Sequence, residues 1–217
     1  AASALAQAKG QGPDLMYLPE IPFDTDAFFN DVDSVLKEKG KVIVAVSEGI
    51  KTEEGKYIPE LYQDLRKDAF GHAQLGGTAQ VLAQEISKRH DVKVRAIEFS
   101  LLQRCAAHLA SKTDIKEAYT AGKKAVQAAV RGVTDRMIGF ERVSSDPYKI
   151  RYVRIPLRKA ANTEQKVPLE WILPNGRGMT QDFIDYALPL IQGDDKADLV
   201  DGLPRFAQLK KIRVSKK

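Results

Sequence analysis

Cysteine is nearly absent from this 217-residue sequence, which contains one, Cys105. A single cysteine cannot form an internal disulfide and supplies no cysteine cluster for zinc, so a small disulfide-stabilised scaffold is excluded. This usage is typical of a reducing compartment, and we predict a cytoplasmic protein. Because Ala106 and Ala107 follow it, we interpret Cys105 as a small packed residue rather than a nucleophile.

Long hydrophobic runs are also missing. Glu, Lys or Asp interrupts every apolar stretch well before the roughly 18 residues that a membrane span requires, so we predict no membrane insertion. The first eight residues, AASALAQA, lack the basic start of a secretory signal and have no initiator Met. We interpret them as a helix entered midway, as expected for a fragment of a longer chain.

No charge of one sign dominates the chain. There are 34 Lys and Arg against 29 Asp and Glu, a net charge of +5, and the two signs are interspersed, which argues against a nucleic-acid partner. The main basic run lies at the carboxyl end, where aromatic residues of the kind that bind single strands are not interleaved with it. We predict a solvated basic tail over residues 194–217 after a folded unit over residues 1–193.

The pattern of apolar residues predicts an α/β fold, a mostly parallel sheet flanked by helices. A strand over residues 13–20 precedes a helix that Asp24 or Thr25 can cap and that Gly40 ends. The next strand, residues 42–46, is apolar on both faces, as in the interior of a parallel sheet. Further strands are predicted at residues 92–99, 137–142 and 148–157. A second helix is predicted from the loop at 71–78 to about residue 89, and a fourth at 181–191. The third, at 114–131, would begin with Asp114 and Glu117 as a capping pair.

Glu48 is the first candidate for chemistry, because it directly follows the strand over residues 42–46. Ligands of open α/β sheets bind outside the carboxyl ends of the strands, and a carboxylate there can accept hydrogen bonds from sugar hydroxyls. The alternative is a surface Glu at a turn. Glu20 has a similar position after the first strand, but capping of the following helix is the preferred interpretation.

The loop GHAQLGGT, residues 71–78, is the second candidate. Its glycines let backbone N–H groups approach an anion at the start of the next helix, and His72 can add a donor. Neither the Walker nor the dinucleotide-binding spacing occurs. The alternative is a tight helix entry in which His72 is an ordinary turn residue.

Cations precede this loop. Tyr62, Arg66 and Lys67 lie just upstream of His72, and Arg can make bidentate contacts with phosphate, although loop cations are usually solvated. His90 and His108 lie in helical contexts without partners in sequence, and we assign neither to a site.

Together these pieces resemble the carboxyl-terminal half of 6-phosphofructokinase over about residues 1–195. The resemblance rests on the order of motifs along the chain. They are YLPE (17–20), VAVSEG (44–49), FGHAQLGGT (70–78), AGKKAV (121–126) and MIG (137–139). The helix at 114–122, the KAAN stretch (159–162) and the DYALPLI ending (185–191) are most similar to the pyrophosphate-dependent branch.

The resemblance implies a role for each matching residue. Glu48 would bind hydroxyls of fructose 6-phosphate, and His72 would hold the sugar phosphate together with Gln74 and the Gly76–Gly77 backbone. Arg66 has the spacing of an Arg that reaches this phosphate from a neighbouring subunit, which implies a homo-oligomer. Many members carry Arg after the Gln of the loop, where this sequence has Leu75, and Arg66 or Lys67 could compensate.

The resemblance also implies what the sequence does not contain. The phosphoryl-donor loops, the acidic groups for Mg²⁺ and the catalytic Asp precede the matched segment in the family, so no catalytic or metal-binding residue is assigned in this chain. The implied activity is conversion of fructose 6-phosphate to fructose 1,6-bisphosphate in glycolysis, with pyrophosphate favoured over ATP as donor. A non-catalytic sugar-phosphate-binding or regulatory module is the alternative. We expect the 217 residues alone to be inactive and to expose an apolar face where the donor half would dock.

Overall fold

A computed structural model describes residues 1–62, 77–196 and 198–213. Short strands and helices alternate in the amino-terminal part, and a helix followed by a long hairpin occupies the middle of the chain. The helices are α1 (Ala2–Ala8), α2 (Thr25–Lys39), α3 (Thr78–Arg89), α4 (Ser100–Cys105), α5 (Lys112–Val130), α6 (Leu157–Ala160) and α7 (Gln181–Ala187), and the strands are β1 (Leu15–Tyr17), β2 (Val44–Val46), β3 (Arg136–Ser145), β4 (Tyr148–Pro156), β5 (Leu199–Val200) and β6 (Leu203–Pro204).

The first βαβ unit is where the sequence predicts it. β1 and β2 pair in parallel with Met16 opposite Ala45, and α2 connects them. α2 begins after Asp24, whose carboxylate accepts a hydrogen bond from the N–H of Ala27 at 3.0 Å, and ends at Gly40. The α/β class is therefore confirmed around a parallel strand pair.

Two apolar clusters flank this strand pair. The larger one joins β1, α2 and α3 and includes Phe28 and Val32 of α2, which are 1% and 0% exposed. The smaller one joins Met16 of β1 to α1 and α7. Alternate residues of β1 thus point into different clusters, as the two-residue repeat of a strand requires.

The second half of the described chain is built differently. β3 and β4 form an antiparallel hairpin close to the predicted bounds, and α5 packs beside it. β5 and β6 form a short antiparallel pair within the segment predicted to be a tail. No helix in the described ranges is both long and apolar enough to cross a bilayer.

Three local predictions were wrong. Residues 92–99 form no strand, because they pair with no neighbouring strand in the described ranges, although Val94 packs against the larger cluster. The cap of α5 is Ser111, whose hydroxyl accepts a hydrogen bond from the N–H of Asp114, so Asp114 and Glu117 are not a capping pair. Cys105 is exposed rather than packed, since α4 contributes no buried side chain.

Candidate functional site

The candidate site lies at the edge where β1 and β2 end. The N–H of Ser47 donates to the Tyr17 carbonyl at 3.1 Å, which continues the strand pairing by one residue. The turn after β2 is closed by a bond from the Gly49 N–H to the Ser47 hydroxyl, and Ile50 is fully buried behind it. Glu48 is therefore an exposed side chain on a turn whose two ends are fixed.

A hydrogen bond connects this turn to the start of α3. The hydroxyl of Thr78 donates to the Glu48 carbonyl at 3.3 Å, and Thr78 is only 2% exposed. Gly77 precedes it as the N-cap with φ of 78°, a left-handed conformation that favours glycine. The backbone of Glu48 is therefore held against the first turn of α3.

The start of α3 has the electrostatics of an anion site. The first turn of α3 contains no acidic residue. Its N-cap, Gly77, has no side chain that could accept hydrogen bonds from the N–H groups of that turn. Unpaired N–H groups and the helix dipole give such an end a partial positive charge, which favours phosphate. The Glu48 turn and a helix end of this electrostatic character are thus joined by the Thr78 hydrogen bond.

Two of the predicted substrate-binding residues fall within the described ranges. They are Glu48 and Gly77. Thr78 follows Gly77 in the chain and donates its hydroxyl to the Glu48 carbonyl, which brings the two residues together. The other four predicted residues, Arg66, His72, Gln74 and Gly76, lie outside the described residues, as do Lys67 and Leu75.

Glu20 does not cap α2, contrary to the preferred interpretation of the sequence. Its Oε1 accepts a hydrogen bond at 3.0 Å from the N–H of Val167, 147 residues away, and Asp24 caps the helix instead. Its other oxygen, Oε2, is buried without a hydrogen-bond partner among the described residues. Glu20 therefore fixes a distant loop against the end of β1.

A second group at this end of β1 was not anticipated from the sequence. The Tyr17 hydroxyl donates to Asp31 Oδ2 at 2.7 Å, and Nε of Arg177 contacts the same oxygen. Burial and then the Asp31 carboxylate raise the pKa of Tyr17 above its usual value.

Tyr17 and Arg177 also line a cavity of about 70 Å³ beside the start of α2. Because the Asp31 carboxylate pairs with the guanidinium of Arg177, that guanidinium offers no unpaired positive charge to the cavity.

His90 has a structural contact. Its Nε2 lies 2.7 Å from Asp33 Oδ1, which connects the end of α3 to α2. His108 lies in an exposed 3-10 turn after α4. No hydrogen bond or ion pair among the described residues links either histidine to the Glu48 turn.

Comparison with known proteins decides the family. A family model described as phosphofructokinase matches residues 2–129. The chain belongs to the phosphofructokinase family. It is 40% identical over 218 residues to the pyrophosphate–fructose 6-phosphate 1-phosphotransferase of Halomonas elongata. It is also 40% identical over 222 residues to the enzyme of the same name from Xanthomonas campestris pv. campestris.

Solved phosphofructokinases share the fold. The pyrophosphate-dependent phosphofructokinase from Nitrosospira multiformis matches the whole chain with a TM-score of 0.79 at 35% identity. The one from Marinobacter aquaeolei matches 96% of the chain with a TM-score of 0.76. The chain covers 51% of the Halomonas elongata relative and 50% of the Nitrosospira multiformis chain. It therefore spans about half the length of these relatives; the rest of their polypeptide is called the uncovered half below.

Proposed function

We propose that this chain is the fructose 6-phosphate half of a pyrophosphate-dependent phosphotransferase that forms fructose 1,6-bisphosphate. The observation that carries the proposal is 40% identity along the full chain to two pyrophosphate–fructose 6-phosphate 1-phosphotransferases. The geometry supports it, because a sugar phosphate requires both a hydroxyl acceptor and a phosphate site, and Glu48 lies against the start of α3.

In this proposal Glu48 accepts hydrogen bonds from hydroxyls of the sugar. The phosphate lies at the start of α3, where the Gly76–Gly77 backbone offers N–H groups. His72, Gln74 and Arg66 complete the phosphate site, with Arg66 supplied by a neighbouring copy in a homo-oligomer. Leu75 supplies no charge, and in this proposal Arg66 or Lys67 compensates for it.

The donor side is assigned outside this chain. Pyrophosphate is favoured over ATP because the relatives at 40% identity carry pyrophosphate in their names, whereas an ATP-dependent relative from Synechocystis is 27% identical. Mg²⁺ is the expected cofactor, but the described residues contain no group of three His, Cys, Asp or Glu placed to hold a metal.

The cellular setting follows from the same reaction. We propose a cytoplasmic glycolytic role for the complete enzyme. Residues 1–193 would form the sugar-phosphate lobe with its carboxyl-terminal helices, and residues 194–217 would form a basic tail.

Glu48→Gln tests the hydroxyl contact. The variant is made in a joined polypeptide, this chain fused behind the uncovered half of the Halomonas elongata relative. Loss of a charge-assisted hydrogen bond costs about 1.5–3 kcal/mol, so the KM for fructose 6-phosphate should rise by about tenfold or more. Glu53→Gln is the matched control, because Glu53 is an exposed carboxylate in the loop after the site. Equal KM values for the two variants would remove Glu48 from the site.

His72→Ala tests the phosphate contact in the same joined polypeptide. A phosphate contact remote from the reacting hydroxyl contributes to ground state and transition state alike, so KM should rise about tenfold while kcat changes little. His108→Ala, at an exposed histidine, should leave both constants unchanged. A fall in kcat at constant KM would contradict a role confined to substrate binding. Steady-state kinetics with varied fructose 6-phosphate separates the two results.

A further inference from the structure

Asp31 of α2 holds two side chains at the end of β1. Its Oδ2 accepts a hydrogen bond from the Tyr17 hydroxyl at 2.7 Å, and Nε of Arg177 contacts the same oxygen. The side chains of Asp31 and Arg177 are 21% and 26% exposed, so water has limited access to the pair. Charge-assisted hydrogen bonds in such partly buried positions are stronger than those at an open surface. Three segments that are remote in sequence therefore meet at one carboxylate.

Arg177 belongs to a turn over residues 173–178 that lies against β1. The N–H of Met16 donates to the Arg177 carbonyl at 3.3 Å. The N–H of Arg177 itself donates to Oδ1 of Asn175 at 3.0 Å. The backbone of Arg177 is thus fixed beside β1, and its guanidinium reaches Asp31 from there.

Packing secures only part of the Tyr17 side chain. Its ring makes edge-on contacts with Phe23 and Phe28, each at 5.3 Å between ring centres. Tyr17 and Leu18 also line the cavity of about 70 Å³ beside the start of α2. Side chains that border a cavity have fewer dispersion contacts on that side. The hydrogen bond to Asp31 therefore restrains the end of β1 where packing does not.

The end of β1 in turn supports the Glu48 turn. The Tyr17 carbonyl accepts the N–H of Ser47 at 3.1 Å, so one residue contacts α2 with its side chain and the Glu48 turn with its backbone. Pro19 borders the same turn, because a Cβ placed on Gly49 would lie 3.7 Å from Cβ of Pro19. A displacement of Tyr17 would therefore move the residues on both sides of Glu48.

We propose that Asp31 is a positioning residue for Glu48. By holding Tyr17 and Arg177 it fixes the end of β1, and with it the direction in which the Glu48 carboxylate meets the sugar hydroxyls. This inference rests on the proposed function in that it takes Glu48 to bind fructose 6-phosphate. Burial and then the Asp31 carboxylate raise the pKa of Tyr17, so its hydroxyl stays a hydrogen-bond donor at neutral pH. The restraint is therefore present under ordinary assay conditions.

A double-mutant cycle in the joined polypeptide tests this role, with KM and kcat for fructose 6-phosphate as the readout. Asp31→Asn keeps the shape of the side chain and removes its charge. Because this change misplaces the contact that Glu48→Gln removes, KM should rise by about three- to tenfold while kcat changes little. In the Glu48→Gln background, Asp31→Asn should raise KM by less than about twofold, because a positioning residue has no further effect once the group that it positions is changed.

Asp33→Asn is the matched control, because Asp33 lies on the same helix and its Oδ1 is 2.7 Å from Nε2 of His90 rather than near Tyr17. It removes an equivalent carboxylate from α2 and should leave both constants unchanged. Tyr17→Phe is a second variant, since it breaks the hydroxyl contact while Asp31 still pairs with Arg177, and its KM should rise as well. This variant keeps the test available if Asp31→Asn lowers the yield of folded protein.

Amide hydrogen exchange in the 217-residue chain gives a readout that needs no activity. The Ser47 N–H, which is bonded to the Tyr17 carbonyl, should exchange at least about tenfold faster in Asp31→Asn than in the unchanged chain, because local opening of that bond becomes easier. The N–H of Gly55, which is bonded within the next loop, is the internal reference. Asp33→Asn should leave the Ser47 exchange rate unchanged.

Several results would overturn the proposal. One is a KM that neither Asp31→Asn nor Tyr17→Phe changes, and another is a rise from Asp31→Asn of the same size with and without the Glu48 carboxylate. An unaffected exchange rate at Ser47 would also overturn it. A joined polypeptide without activity toward fructose 6-phosphate rejects the proposed function, and the Ser47 exchange rate then decides by itself whether Asp31 fixes the Glu48 turn. Activity that does not respond to Asp31→Asn keeps the proposed function and rejects only the positioning role.

Discussion

The 217-residue chain alone is expected to transfer no phosphoryl group to fructose 6-phosphate, from pyrophosphate or from ATP. By its resemblance to the family, the groups that bind the donor and accept the proton from the sugar belong to the uncovered half. General acid–base catalysis and electrostatic stabilisation of the transferred group typically contribute about 10²–10⁴ and 10²–10³ in rate. Without both of these contributions, the rate of turnover should fall below the detection limit. A coupled assay of fructose 1,6-bisphosphate formation measures it.

The joined polypeptide is the control for this experiment, because it restores the donor side in the same assay. Fructose 6-phosphate should bind the separate chain weakly at best, since only part of its site is present. Turnover by the separate chain with either donor would refute the division of the site between two halves. A native protein with a mass near 24 kDa would instead favour a sugar-phosphate-binding module.

The first βαβ unit was predictable because its signals are local. A β-branched run defines β2, and α2 is bounded by Asp24 and Gly40 as the sequence indicates. The hairpin strands were also found from their apolar residues. Residues 92–99 have a similar β-branched character but form no strand, because strand formation depends on an available partner. That dependence is not encoded in the segment itself.

The position of the candidate site was predicted from the rule that ligands bind outside the carboxyl ends of strands. The position of Glu48 directly after β2 was sufficient to select it as a candidate. Its backbone carbonyl accepts a hydrogen bond from the Thr78 hydroxyl, which connects the Glu48 turn to the start of α3. The contact between Asp31 and Arg177 spans 146 residues and had no signal in the sequence. Glu20 was misassigned for the same reason, since its partner Val167 is equally remote. Long-range polar pairs require the fold before they can be recognised.

Phe28→Ala is expected to produce the largest loss of stability among single side-chain truncations of the described core. Phe28 is 1% exposed, and its ring lies 5.3 Å from those of Tyr17 and Phe23 and 5.2 Å from that of Phe29. Truncating a buried Phe leaves a cavity and costs about 3–5 kcal/mol in the free energy of unfolding.

Phe140→Ala is the matched control for this truncation, because it removes the same atoms from a ring that is 52% exposed on β3. It should lower the free energy of unfolding of the separate chain by less than about 1 kcal/mol, as is usual for surface substitutions. Urea unfolding followed by circular dichroism gives both values. Equal losses for the two variants would contradict the placement of the core between β1, α2 and α3, because the cost of truncation follows the packing that is removed.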